Sequence, residues 1–258
     1  MEEWSTNELK SYLDEKAEQY EKPFFLDADP LGLLHRFSTP IDQEIFGLLI
    51  ATIAWGNRAS IIKSGENLIQ RLDNSPYEVI KTATEKEINS LAKGFVHRTF
   101  NADDLVFFCL SLQRYYTEKK SLEQLFSPGI PNLNHGIVAL RSFFLQTPHQ
   151  QRSQKHLADV TKNSAAKRLH LYLRWMVRSS QKGVDLGIWK TLSASQLSCP
   201  LDVHSGRIAR SLGLIHRKQN DQKTLEELDK RLRIMDPNDP VKYDFALFGI
   251  GAFEFVSL

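Results

Sequence analysis

Cysteine is almost missing: the 258-residue chain has two, Cys109 and Cys199. Two isolated thiols exclude a disulfide framework and any four-cysteine zinc or iron–sulfur centre, and they suit a reduced compartment. No stretch approaches the roughly 20 consecutive apolar residues of a membrane span. The first residues, MEEWSTNELKSYLDEK, lack the basic start and apolar run of a signal peptide, so a cytoplasmic location is expected. Strand alternation, internal repeats and low-complexity tracts are lacking too. No GxGxxG, P-loop, HExxH or GxSxG is present, so dinucleotide, P-loop nucleotide, zincin and serine-hydrolase chemistry gain no support. No metal ion or cofactor is expected.

What is present reads as helix. Hydrophobic residues make up 41% of the chain and charged residues 25%, ordinary for a globular protein. Apolar positions at helical spacing predict helices over Asn7–Gln19, Ile41–Thr52, Ser60–Leu72, Thr84–Leu91 and Asn101–Tyr116. Thr84 with Glu87 forms a capping-box pattern. The segment SPGIPNLNHG, Ser127–Gly136, is the clearest loop. A helical hairpin is expected next: His156–Val160, a turn at Thr161–Asn163, then a helix from Ser164, its N-cap, to Arg178. Further helices are expected over Val203–Leu212, stopped by Gly213, and from Asp221 or Lys223 to Met235. A last apolar helix follows Pro240. The fold class is therefore all-α, a single unit over 1–258.

Charge is uneven. From Arg152 to Lys218 there are 13 Lys and Arg against three acids, a net of +10 in a chain whose total is +2. Such a zone is expected of a phosphate-binding face, although solvated lysines alone produce the same count.

The segment CPLDVHSGRIARSLGL, Cys199–Leu214, concentrates candidate chemistry. Pro200 keeps the approach extended, and Asp202 stands where a helix begins. Arg207 and Arg210 follow on that helix. Aspartate is also a common N-cap, and spacing alone gives Asp202 no other role.

The segment resembles the helix-hairpin-helix DNA glycosylase superfamily, in which a Pro-Val-Asp-like tripeptide opens a helix. IATIAWGNRASIIKSGENLIQRL, Ile50–Leu72, resembles the early core helices of that superfamily. The motifs PLDVHSGR and DPNDPVKYDFALFG are also similar to a bacterial family with no assigned activity. The glycosylase resemblance implies two helical subdomains, 41–130 and 1–40 plus 131–258, with a cleft between them. It implies that the aspartate both caps its helix and faces the target sugar, and that a lysine on the hairpin's second helix is the nucleophile. The chain departs from the superfamily in its turn, which reads ADVTKN without the usual glycines. The spacer Ser179–Pro200 is long, and the C-terminal iron–sulfur cysteines are absent. The archaeal 8-oxoguanine glycosylase branch is similar in its degenerate hairpin and longer spacer. Against that branch the catalytic lysine falls on Lys167; against the common hairpin Asn163 takes its place.

The resemblance implies base-excision chemistry: cleavage of the N-glycosidic bond of a damaged purine, with or without lyase activity on the abasic site. Asp202 and Lys167 would be catalytic. Lys162, Asn163, Ser164, Arg168, Arg207 and Arg210 would contact DNA. Trp55, Trp175, His204, Asp244 and Phe248 are candidates for the base pocket, with Trp189 and Phe245 as further aromatics; for most of these aromatics core packing is the better explanation. The pair His97-Arg98 could touch phosphate or structure a turn. The expected partner is DNA, duplex or single-stranded. A non-catalytic nucleic-acid-binding protein of the same fold, or one acting on RNA, fits the same charge pattern.

Overall fold

The structure is a computed structural model, and it describes residues 4–126 and 132–254. Eleven α-helices run in the order α1 Thr6–Tyr20, α2 Pro40–Thr52, α3 Arg58–Arg71, α4 Pro76–Thr82, α5 Glu85–Ala92, α6 Ala102–Glu118, α7 Asn134–Phe144, α8 Lys167–Val177, α9 Val203–Ser211, α10 Gln222–Met235 and α11 Tyr243–Gly249 among the described residues. A two-residue hairpin, β1 Val96–His97 and β2 Phe100–Asn101, pairs antiparallel with Val96 opposite Asn101. It is too short to show alternation, which is why the sequence gives no hint of it. Short 3-10 turns fill most remaining connections.

Local chemistry explains the boundaries. Ser5 and Glu8 form a capping box at α1, as do Thr84 and Glu87 at α5 and Asn101 and Asp104 at α6. Each satisfies N–H groups that a helix start leaves open. Thr39 caps α2 with Pro40 at its first position. Gly213, at φ 68°, ends α9.

The chain forms two compact units. One comprises residues 4–25, 132–134 and 160–254; the other, 26–126 and 135–159. In the first, α1 buries Leu9, Leu13, Ala17 and Tyr20 on one face, which packs on α11. A side chain at Gly249 would run into the Tyr20 ring, so that glycine permits the close approach. In the second, α2 is buried from Glu44 to Thr52 and is its central helix. Tyr116, Ser121 and the Leu122 N–H all donate to the buried Glu44 carboxylate. The second unit thus extends beyond the 41–130 span to take in residues 26–40 and 135–159.

Two expectations need correction. The segment His156–Val160 is not helical: 3-10 turns cover Gln151–His156 and Val160–Lys162, with irregular chain between. The hairpin therefore has only its second helix. That helix, α8, starts at Lys167 and not at Ser164. Its N-cap position is Ala166, held left-handed at φ 43°, and the Ser164 hydroxyl accepts from the Ala166 N–H at 3.3 Å. Asn163 is also left-handed, φ 65°. Two positive-φ residues turn the chain here without glycine. Of the expected loop Ser127–Gly136, residues 127–131 lie outside the described residues.

Candidate active site

Asp202 precedes α9 in an extended conformation, φ −122° and ψ −169°. Its Oδ1 accepts the Ser205 N–H at 2.8 Å, and the Ser205 hydroxyl accepts the Asp202 N–H at 2.9 Å. The Asn220 amide donates to the Asp202 carbonyl at 2.7 Å. Backbone and one carboxylate oxygen are thus fixed by the cap. The second oxygen, Oδ2, faces Lys167 Nζ at 3.3 Å. Both side chains keep solvent access, 32% for Lys167 and 21% for Asp202. Burial pushes the Asp202 carboxyl up, but the Lys167 ammonium and the Ser205 N–H together outweigh it and hold the group below its usual range.

Lys167 is the first residue of α8, and the far end of that helix is locked by buried ion pairs. Arg174 donates from Nε to Asp185 Oδ1 at 3.2 Å, pairs through Nη1 with Asp244, and lies over the Phe245 ring, 4.2 Å from its centroid. Arg178 reaches Glu21 at 2.6 Å, Asp185 at 2.6 Å and Asp239 at 2.7 Å. These contacts bind α8 to the chain ahead of α11, to the end of α1 and to the loop after α8. They set where the Lys167 stem begins. Sequence reading missed Glu21, Asp185 and Asp239. The available signal was Arg174 and Arg178, two cations spaced four apart on an otherwise apolar helical stripe.

Asp244 lies behind the pair, 5% exposed. Cys199 Sγ donates weakly to its Oδ1 at 3.8 Å. Burial, opposed by Arg174 and reinforced by the Asp202 charge, pushes its carboxyl up to about 6. The Cys199 thiol is pushed well up by burial, with the Asp244 and Asp229 charges adding. Its full burial also keeps reagents away from the sulfur.

The family is decided by comparison: a family model described as a protein of unknown function (DUF2400) matches residues 29–253. The chain belongs to this family. Comparison with curated proteins and with solved structures gave no match. The DUF2400 span includes Lys167, Asp202 and the Arg174–Asp185–Asp244 network. Among the described residues of this DUF2400 chain, no group of three His, Cys, Asp or Glu is placed to hold a metal ion, and no helix is long and apolar enough to cross a membrane.

The other candidates fall in varied places. Asn163 does not face Asp202. Its amide donates to Asp221 Oδ2 at 3.0 Å and its carbonyl accepts from Gln222 N–H at 3.1 Å, tying the turn to the start of α10. Lys162 is exposed at the end of its 3-10 turn, and Ser164 is half-buried. Arg168 is half-buried, and burial pushes its guanidinium down to about 10. Arg207 is exposed and donates to the Gly251 carbonyl at 3.4 Å.

Arg210 departs from the DNA-contact expectation, because its guanidinium is occupied by the protein. It donates to the Arg217 carbonyl at 2.6 Å, the Gln219 carbonyl at 3.0 Å and Asn220 Oδ1 at 2.6 Å. Asn220 in turn holds the Asp202 carbonyl, so Arg210 supports the site from behind.

Among the aromatics, Trp175 is fully buried and its indole N–H has no hydrogen-bond partner among the described residues, which makes it core and not pocket wall. Trp189 is 3% exposed and packs edge-on against Tyr172. Phe245 is buried under Arg174. Phe248 is half-buried, edge-on to Phe25. His204 is exposed one residue beyond Val203, itself 77% exposed. Trp55 belongs to the other unit, half-buried and stacked on His156 with centroids 5.8 Å apart. His97, in that unit, is structural: its ring bridges Ser64 Oγ at 2.8 Å and the Trp55 carbonyl at 3.2 Å.

Part of the basic zone is paired with acids. Arg152 pairs with Asp104, Arg174 with Asp244, Arg178 with Glu21 and Asp239, Lys182 with Glu18, and Arg217 with Asp221. All of these acids lie outside the Arg152–Lys218 segment. These pairs offset part of the +10 of the segment.

Proposed function

We propose that this chain is a DNA N-glycosylase acting on a damaged purine, with Lys167 as nucleophile and Asp202 as the carboxylate that serves it. One observation carries this reading: Lys167 Nζ lies 3.3 Å from Asp202 Oδ2, on solvent-accessible side chains, while the other carboxylate oxygen is spent on the helix cap. An ionised carboxylate beside an amine is the pair that glycosidic cleavage needs.

The steps balance as follows. The Lys167 ammonium gives one proton, relayed by Asp202, to the departing base. The freed amine pair forms a bond to the anomeric carbon as the bond to the base nitrogen breaks, and the base keeps that electron pair. Positive charge that develops on the sugar is stabilised by Asp202, already ionised by the Lys167 charge and the Ser205 N–H. The remaining cation opens its ring: the C1′–O4′ bond breaks, O4′ takes a proton from the nitrogen, and an iminium results. The base must leave the stack to reach such a site.

Borohydride trapping on duplexes carrying 8-oxoguanine or other purine lesions tests the proposal. Wild type should form a covalent adduct, Lys167→Gln none. Asp202→Asn, which keeps the cap, should lower base release by about 10²–10³-fold. Absence of both adduct and base release on every lesion tried rejects the enzyme reading. The non-catalytic nucleic-acid-binding alternative is favoured by no observation as specific, since several of the cations that motivated it are paired with acids within the protein.

A further inference from the structure

The unit formed by residues 26–126 and 135–159 has a groove of its own. It lies between the solvent side of α3 and the β1–β2 hairpin, with a volume of about 630 Å³. Lys63, Arg71 and Arg98 line it with cations, and Asn57, Asn67 and Gln70 with amides. The acid in its wall, Glu66, is already held by both terminal nitrogens of Arg36, at 2.7 and 2.5 Å.

The cations differ in what they do. Arg71 is fixed from the side: it donates to Asn67 Oδ1 at 2.6 Å and to the Leu91 and Lys93 carbonyls. Those partners are neutral, so its charge stays uncompensated. Lys63 and Arg98 are exposed and have no acidic partner among the described residues. Arg98 sits in left-handed backbone, φ 55°, at the hairpin turn. Its side chain lies across Gly56, where a Cβ would stand 2.7 Å from Arg98 Nη1. Gly56 itself has φ 96°, so a side chain there would be both strained and in the way. The guanidinium is thus packed against Gly56 and not left to wave from the hairpin.

We propose that this groove binds the phosphodiester backbone of a nucleic-acid strand. Unpaired Lys and Arg neutralise phosphates, and Asn, Gln and Ser side chains supply the hydrogen bonds that phosphate and sugar oxygens take. The apolar content is small: Phe95 is buried in the floor and Val96 stands exposed at the rim. An acidic peptide seeking side-chain pockets finds little to hold. A groove open to solvent admits a chain that passes through, where a mononucleotide site would be enclosed. The Lys167–Asp202 chemistry is not required for this binding, which shares with the proposed function only the class of partner.

The test is equilibrium binding of fluorescent single-stranded and duplex oligonucleotides to the full chain, as a function of salt. Lys63→Gln with Arg98→Asn removes two charges, and asparagine tolerates the left-handed backbone. The double variant should bind about tenfold more weakly, and its log K against log salt slope should flatten by about 1.4–1.8. Lys119→Gln, an exposed lysine of the same unit, should leave both unchanged. Wild-type affinity and slope in the double variant overturn the proposal. So does competition by inorganic phosphate or a mononucleotide as effective, per phosphate, as the oligonucleotide, and so does failure of wild type to bind either oligonucleotide. If the double variant melts early, Lys63→Gln alone decides, with half the change in slope. Retained binding by Lys167→Gln without base release by wild type would sink the glycosylase proposal and leave this one standing.

Discussion

His170 shows how one residue can set an acid limit on this fold. It lies three positions after Lys167 on α8, 1% exposed, and neither ring nitrogen has a hydrogen-bond partner among the described residues. Burial, with the Arg233 charge added, pushes its pKa down to about 4. The folded value lies below the ordinary one of about 6.5. Its contribution to stability is therefore complete above pH 6.5 and is lost as pH falls toward 4, a change on the order of 3 kcal/mol. His170→Leu should flatten the fall in melting temperature over that window. Parallel curves for variant and wild type would exclude His170 as the cause. Asp202, by contrast, was legible from its neighbours: a lone aspartate before VHSGR reads as a cap, and it is one. What could not be read is that its second oxygen is left over for Lys167. Spacing along a chain says nothing about which atom of a side chain stays free.

At the scale of elements, most helices were legible because their ends carry their own chemistry. Thr84 with Glu87 and Asp221 before α10 mark starts that the structure reproduces. The α8 start was not legible, because Ser164 offers a good cap in the wrong place. The chain instead turns at Asn163, anchored on Asp221, and again at Ala166. Alanine in the left-handed region costs roughly 1 kcal/mol, and a β-branched residue more. Ala166→Gly should be neutral or slightly stabilising in urea, since relief of strain offsets glycine's extra backbone entropy. Ala166→Val should lose roughly 2 kcal/mol. Equal midpoints for the two variants would mean that the left-handed turn is not a constraint on α8. The β1–β2 hairpin escaped detection for a simpler reason: two residues per strand carry no period.

For the whole molecule, buried charge decides more than surface charge. Arg178 is 4% exposed and answers to Glu21, Asp185 and Asp239 from three separate stretches of chain. Burial lowers its proton affinity, but those carboxylates outweigh it and hold the guanidinium firmly charged. Replacing one member of such a network strands the rest. Arg178→Met should cost about 3–5 kcal/mol in chemical denaturation. The deficit should shrink in acid, where the stranded carboxylates take up protons. Arg178→Lys should fall between, since it keeps the charge without the fork. A deficit for Arg178→Met that stays constant from pH 7 to pH 4 would point to lost packing and not to stranded charge.

The sequence by itself determined the helical class, most helix boundaries and the position of Asp202 at a helix start. Those are local matters, fixed by caps, glycine stops and apolar spacing within a few residues. Tertiary structure decided the rest. It put Lys167, and not Asn163, beside Asp202. It turned Trp175 into core and Arg210 into a support for Asn220, and it reduced the basic segment by pairing its arginines with acids from elsewhere in the chain. The physical reason is common to all of these: ion pairs and burial depend on separation in space, and the partners stand up to 164 residues apart along the chain.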